Sequence, residues 1–200
     1  MTWWSPGRPV WWVGVLFAIG STCFLVGPFP GFVELVGSTV DGIVFFVGSI
    51  FFTSAATLQL LTTGDAWRGL DWWSCAVQVA GTIFFNISTF HALQKGLDTT
   101  EYDRLVWAPD AYGSVCFLVS GVIAYIAVTG LRWRPGPLSR DWWIAAINLL
   151  GCIAFGISAI AAYVIPSTGD AIDLARANST TSFGALCFLV GAVLLLPSAD

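Results

Sequence analysis

The chain has 200 residues, of which 56% are hydrophobic, 10% are charged and 15% are aromatic, with a formal net charge of −4. Soluble domains average about 45–50% apolar and about 25% charged residues, so this composition excludes an ordinary water-soluble domain and indicates a protein surrounded by a lipid bilayer. The few basic residues form no basic face along the sequence, so we expect no nucleic-acid partner.

Uncharged stretches follow one another along the chain, and each can supply the roughly 20 apolar residues that cross a hydrocarbon core as a helix. Because a chain in lipid must satisfy its own backbone hydrogen bonds, we expect six transmembrane helices. They are predicted near 10–27, 42–61, 72–93, 111–131, 142–165 and 179–197. Arg8 precedes the first apolar stretch, as a basic residue does in a signal peptide. No small-residue cleavage pattern follows that stretch, so we assign it to the mature bundle.

A repeated pattern relates the predicted helices to one another. The first, third and fifth share W-W-x7-G-x3-F, and the second, fourth and sixth share the shorter G-x3-F. The glycines of the six patterns are Gly20, Gly42, Gly81, Gly113, Gly151 and Gly184. Small residues let membrane helices approach closely, so we predict that these glycines pack the helices against one another in the bundle interior.

The spacing of the repeats predicts the architecture. Corresponding glycines lie about 60–70 residues apart, which is the length of one helical hairpin with its connection. We therefore predict an all-α polytopic membrane protein with a single transmembrane domain over 1–200. Its three tandem hairpins are expected at about 8–62, 71–132 and 140–198.

Paired tryptophans open the first, third and fifth predicted helices, at 11–12, 72–73 and 142–143. Anchoring at the membrane interface explains them better than a ligand cage does. The distribution of Lys and Arg, above all in the loop 131–140, predicts that both termini are cytoplasmic. The arginines of that loop could also meet anionic lipid headgroups, but orientation is the simpler explanation.

The segments 14–21 and 42–49 both read G-x-x-F-x-x-G-S, in consecutive predicted helices. This pattern resembles the YrhK-like domain, a short two-helix membrane module of bacteria, and the longer six-helix proteins that look like arrays containing it. The resemblance is specific over 10–61. Later helices keep only the serine of the motif, as Ser88, Ser120 and Ser158. The resemblance implies a protein of the bacterial inner membrane and no catalytic residue.

Few residues in the predicted spans could carry chemistry. His91 is the single histidine, and Asp110 opens the fourth predicted helix across a short outer loop. A His91–Asp110 pair could sense or relay protons. The simpler alternative is that Asp110 caps the helix N-terminus while His91 sits hydrated among headgroups, and we favour that alternative.

Several polar side chains are predicted in the interior of the bundle. Gln78, Asp110 and Asn148 each precede a repeat glycine by three residues, so they are predicted to face inward, and Asn86 and Gln59 are further polar positions. Such side chains either line a wet cavity or form interhelical hydrogen bonds, and the second alternative is favoured.

Enzyme and cofactor motifs are absent from the sequence, which holds no phosphate-binding loop, no HExxH and no nucleophile with a base. All five cysteines fall in predicted spans without a CxxC pair, so packing is expected for them rather than disulfide or metal chemistry. We therefore expect no enzymatic activity, no cofactor and no metal site.

Two classes of function remain. The favoured one is a structural, accessory or regulatory membrane component that lies in the lipid bilayer and binds a membrane-protein partner or forms a homo-oligomer. The alternative is a channel or transporter that passes a small neutral solute or protons through the bundle interior, since many carriers are built from repeats.

Overall fold

The structure is a computed structural model that describes residues 3–64, 69–130 and 139–196. Within these ranges the regular secondary structure is helical, apart from one isolated bridge between Val164 and Ala171. The helices are α1 (Pro9–Val26), α2 (Phe32–Val36), α3 (Ser38–Thr62), α4 (Leu70–Ala92), α5 (Thr99–Tyr102), a π-helical turn (Asp103–Trp107), α6 (Ala108–Thr129), α7 (Arg140–Ala161) and α8 (Leu174–Leu195). The all-α prediction is thus confirmed for the described residues.

The described part of the chain has five helical segments that are long and apolar enough to cross a membrane by length and composition. They are Pro9–Val26, Ser38–Thr62, Thr99–Thr129, Arg140–Ala161 and Leu174–Leu195. Helix α4 has 23 residues but is not among these five. Five of the six predicted spans are therefore supported by length and composition, and the span predicted at 72–93 is not.

The six long helices form a closed ring in which each helix packs against two neighbours, in the order α1, α3, α4, α6, α7, α8 and back to α1. Neighbours are antiparallel. Between α6 and α7, for example, Trp107 donates to the carbonyl of Ala159 and Ser114 to that of Phe155, so residues early in one helix meet residues late in the other. Helices α1, α4 and α7 consequently begin at the same end of the ring, here called the tryptophan end.

Glycines bring the two helices of each hairpin into contact. A β-carbon added to Gly81 would lie 2.6 Å from the ring of Phe117, and one added to Gly113 would lie 3.0 Å from the ring of Phe85. Gly151 and Gly184 make the same reciprocal approach between α7 and α8. The predicted packing role of these glycines agrees with the contacts that the structure gives them.

In the first hairpin, the predicted packing glycine of α3 is wrong. Gly20 of α1 faces Phe52, and its partner glycine in α3 is Gly48, six residues beyond the predicted Gly42. A β-carbon on Gly42 would meet the end of the Leu93 side chain and no other group within 4 Å. Helix α3 contains two successive G-x3-F patterns, at 42–46 and 48–52, and the helix packs through the second one.

Six phenylalanines, one from each long helix, fill the centre of the ring. They form two stacked triangles: Phe52, Phe117 and Phe188 on the side of the tryptophan end, and Phe24, Phe85 and Phe155 on the far side. Ring centroids are 5.7–6.3 Å apart in the first triangle and 6.0–6.5 Å apart in the second. All six side chains are buried. Edge and tilted contacts at these distances stabilise aromatic pairs, and together the six rings form what we call the phenylalanine plug.

Candidate functional site

A cavity of about 210 Å³ lies inside the ring, between the phenylalanine plug and the tryptophan end. One water needs roughly 10–15 Å³ of such space, so the cavity can hold several waters or a small solute. All six long helices contribute to its wall. Its polar lining consists of Gln59, Asp71, Ser74, Gln78, Ser120, Asp141 and Asn148. We call this cavity the chamber.

The plug closes the chamber on its inner side. Phe117 and Phe188 line the chamber floor, and Phe17 adds an apolar wall from α1. The gap between the two triangles of the plug measures only about 10 Å³, and phenylalanine side chains with Ser49 line it. A space of that size and apolarity does not hold a continuous file of water. The chamber is thus separated from the far end of the ring.

The chamber opens toward the tryptophan end. A wider cavity of about 670 Å³ adjoins it, and both share the lining residues Gln59, Asp141, Ile144 and Leu195. We call this second cavity the vestibule. Arg8 and Arg140 line the vestibule but not the chamber. Arg140 donates its Nε to the carbonyl of Leu194, which satisfies one of the last carbonyls of α8.

Gln78 and Asn148 lie on corresponding turns of α4 and α7, three residues before the glycines that contact the neighbouring helices, and both line the chamber. The buried Oδ1 of Asn148 has no hydrogen-bond partner, although the side chain packs against Gly191. In α1 the corresponding residue is Phe17. The sequence left two roles open for Gln78 and Asn148, which were lining a cavity and bonding between helices. The structure places both side chains on a cavity wall.

Serine hydroxyls hold α4 against α6 beside the chamber. Ser74 donates to the carbonyl of Ser120 at 3.0 Å, and Ser120 donates to the carbonyl of Ser74 at 2.8 Å. Both side chains are buried. This reciprocal pair keeps the chamber wall closed between the two helices.

The double tryptophans surround the same end of the ring. Trp12, Trp73 and Trp143 have exposed fractions of 44%, 52% and 44%, so one indole of each pair faces outward at three matching positions. Each exposed ring makes an edge contact with its tryptophan neighbour. The geometry fits anchoring at the membrane interface, because the exposed indoles lie on the outside of the ring and do not line the chamber.

His91 and Asp110 are not brought together. Among the described residues no hydrogen bond or ion pair joins them, and the buried Nδ1 of His91 has no hydrogen-bond partner. Asp110 also caps no helix. The helix continues from α5 through the π-helical turn into α6, and its N-cap is Asp98, which forms a capping box with Glu101. The sequence located the start of this helix too late because its first residues are charged.

Asn86 lies on the side of the bundle, away from the chamber. Its Nδ2 donates to Thr53 of α3 at 2.8 Å, and its Oδ1 is left without a partner. Together with Thr53, Ser54 and Thr57 it lines a groove of about 370 Å³ between α3 and α4. Its expected role as interhelical glue agrees with the bond to Thr53.

Sequence reasoning missed the two carboxylates of the chamber. Asp71 and Asp141 immediately precede the double tryptophans and line the chamber, and neither is among the polar residues that the sequence analysis singled out. The spacing could have revealed them, since Asp71, Ser74 and Gln78 fall on one face of a helix. The described residues contain no group of three or more potential metal ligands, and their five cysteines are free. The predicted loop arginines Arg132 and Arg134 lie outside the described residues.

No protein-family model, no curated protein and no solved structure matches this chain. The resemblance to the YrhK-like domain therefore stays a prediction that rests on the glycine, phenylalanine and serine motifs of α1 and α3.

Proposed function

We propose that this protein is a non-enzymatic channel or carrier of the bacterial inner membrane, which passes a small polar solute through the centre of its helical ring. The observation that carries the proposal is the polar chamber, open toward the tryptophan end and closed by the phenylalanine plug. A close-packed accessory protein has no need of a polar central cavity, nor of an amide oxygen such as Asn148 Oδ1 that costs free energy because it is buried without a partner.

We further propose that α4 is the sixth membrane span. The ring supports this placement, because α4 packs between the apolar helices α3 and α6. Its outward residues Ile83, Ile87 and Phe90 are exposed large hydrophobics, as expected of a lipid-facing side. Its amide Gln78 instead lines the chamber, and its Asn86 bonds to α3. The polar side chains of Gln78 and Asn86 are thus directed to the chamber and to α3.

The three hairpins are proposed to be repeats of one module, related by approximate threefold symmetry around the chamber and similar to the YrhK-like domain. The matching glycine–phenylalanine contacts in α1–α3, α4–α6 and α7–α8 support this relation. The predicted orientation, with both termini cytoplasmic, would then open the vestibule toward the cytoplasm.

The plug is proposed to act as the gate. Hydrophobic constrictions close channels by excluding water, and the two phenylalanine triangles form such a constriction. The structure thus corresponds to a closed state. Opening requires that rings from both triangles leave the axis.

One observation supports the accessory function that the sequence favoured. A groove of about 370 Å³ between α3 and α4 is lined by Asn86 and by the hydroxyl residues Thr53, Ser54 and Thr57. A polar helix of a membrane partner could occupy it. This second candidate does not account for the chamber.

The gate can be tested by removing one ring from each triangle. Phe85 and Phe117 are in contact, with ring centroids 4.9 Å apart, so the double variant Phe85→Ala/Phe117→Ala opens one sector of the plug. Phe84→Ala/Leu118→Ala is the matched control, since it alters the adjacent residues outside the plug. In proteoliposomes, stopped-flow light scattering should show faster urea entry through the plug variant than through wild type or control. A folded plug variant that stays as impermeable as wild type would disprove the gate.

A further inference from the structure

We infer that the chamber binds a small organic cation that carries N–H donors, of the guanidinium or alkylammonium class. This inference rests on the proposed function and names the class of solute for the same site. Three features of the chamber lining carry it: the charge at its mouth, the unpaired amides on its wall and the aromatic rings at its floor.

The charge at the chamber mouth is negative. Asp71 and Asp141 line the chamber, and none of the described residues around it is a lysine or an arginine. The basic residues Arg8 and Arg140 line the vestibule outside it, where Arg140 is bonded to the last turn of α8. A cation inside the chamber therefore faces two carboxylates and no cation on the wall.

The wall offers hydrogen-bonding groups that the protein leaves unused. Gln59, Gln78 and Asn148 come from three different helices, and no hydrogen bond between their side-chain amides and the rest of the described chain is formed. The Oδ1 of Asn148 is buried against Gly191 without a partner. A solute with several N–H groups can donate to the side-chain oxygens of Gln59 and Gln78 on the chamber wall. The chamber thus fits a hydrogen-bonding cation.

The floor is aromatic. Phe117 and Phe188 lie beneath the chamber and Phe17 beside it. The face of an aromatic ring attracts a cation within about 6 Å, and planar guanidinium groups also stack on such rings. The negative face of an aromatic ring does not attract an anion. Carboxylates above, amides at the side and rings below therefore favour the same ligand chemistry.

Guanidinium and urea are the direct test of the charge requirement, because they have similar planar shapes and differ in charge. Isothermal titration calorimetry on the full chain in lipid nanodiscs should give at least tenfold tighter binding of guanidinium than of urea, and no binding of acetate. Equal affinities for guanidinium and urea, or a preference for acetate, would overturn the inference.

Substitution then tests whether the carboxylates provide the preference. Asp71→Asn/Asp141→Asn keeps the shape of both side chains and should lower the guanidinium affinity at least tenfold, to about that of urea. Glu34→Gln is the control, because it removes an exposed carboxylate from α2, outside the chamber. Unchanged guanidinium binding in the double aspartate variant would also overturn the inference.

Failure of the inference can be separated from failure of the proposed function. Urea flux through Phe85→Ala/Phe117→Ala depends on the path and not on the carboxylates. If urea passes but guanidinium binds no better than urea, the solute class is wrong and the path remains. If neither solute passes the opened plug, the proposed function itself is wrong.

Discussion

Gly48→Ala tests the close packing of α1 against α3 in the ring. A β-carbon at Gly48 would lie 2.7 Å from the β-carbon of Cys23 and 3.1 Å from the ring of Phe24. Since a β-carbon is fixed to its backbone, helices α1 and α3 must separate to admit the new methyl group. Overpacking of this kind costs about 1–3 kcal/mol, and the gain in helix propensity from Gly to Ala returns about 0.5–1 kcal/mol. We expect a net loss of about 1–2 kcal/mol in the free energy of unfolding.

Two glycines of the same protein are matched controls for this substitution. A β-carbon on Gly156 of α7 would meet no atom within 4 Å, so Gly156→Ala should be neutral or stabilising. At Gly42 the new methyl would meet only the flexible end of Leu93, at 2.9 Å, so Gly42→Ala should cost less than Gly48→Ala. Denaturant unfolding in mixed micelles measures all three. A Gly48→Ala protein as stable as the Gly156→Ala protein would refute the close approach of α1 and α3.

Two double-mutant cycles test other contacts. Ser74→Ala and Ser120→Ala should show a favourable coupling of about 0.6 kcal/mol or more in the unfolding free energy, because the two hydroxyls bond reciprocally between α4 and α6. A coupling near zero would contradict that geometry. His91→Ala and Asp110→Asn should show no coupling beyond about 0.3–0.5 kcal/mol, since no hydrogen bond or ion pair joins the two described side chains. A larger coupling would restore the proton-relay hypothesis.

Hydropathy and spacing were sufficient to predict the long helices. Uncharged stretches located all six. The largest boundary error is at the helix predicted to begin at 111, which starts at Thr99, and smaller errors fall at Ser38 of α3 and Leu174 of α8. These first turns are polar although they are helical, so apolar length alone cannot detect them. The repeat pattern also predicted five of the six packing glycines, and it failed only in α3, where Gly42 and Gly48 compete for the same motif.

The chamber was harder to foresee. The sequence put Gln78 and Asn148 on an inward face, but an inward polar side chain can equally bond to a neighbouring helix, as Asn86 does with Thr53. Which alternative holds depends on the antiparallel ring and on where the phenylalanines meet, and neither is visible in one helix. The closing of the axis by six rings from six helices is a property of the assembled bundle alone.

The chamber's access from one side is tested most directly by a cysteine at Gln78, in a background whose five native cysteines are replaced by alanine. A small membrane-impermeant methanethiosulfonate reagent should label Gln78→Cys when added at the tryptophan end, and should not label it from the opposite side. Ile83→Cys, on the outer surface of the same helix, is the control and should react from neither side. Absence of labelling at Gln78→Cys, or equal labelling from both sides, would contradict a chamber closed by the phenylalanine plug.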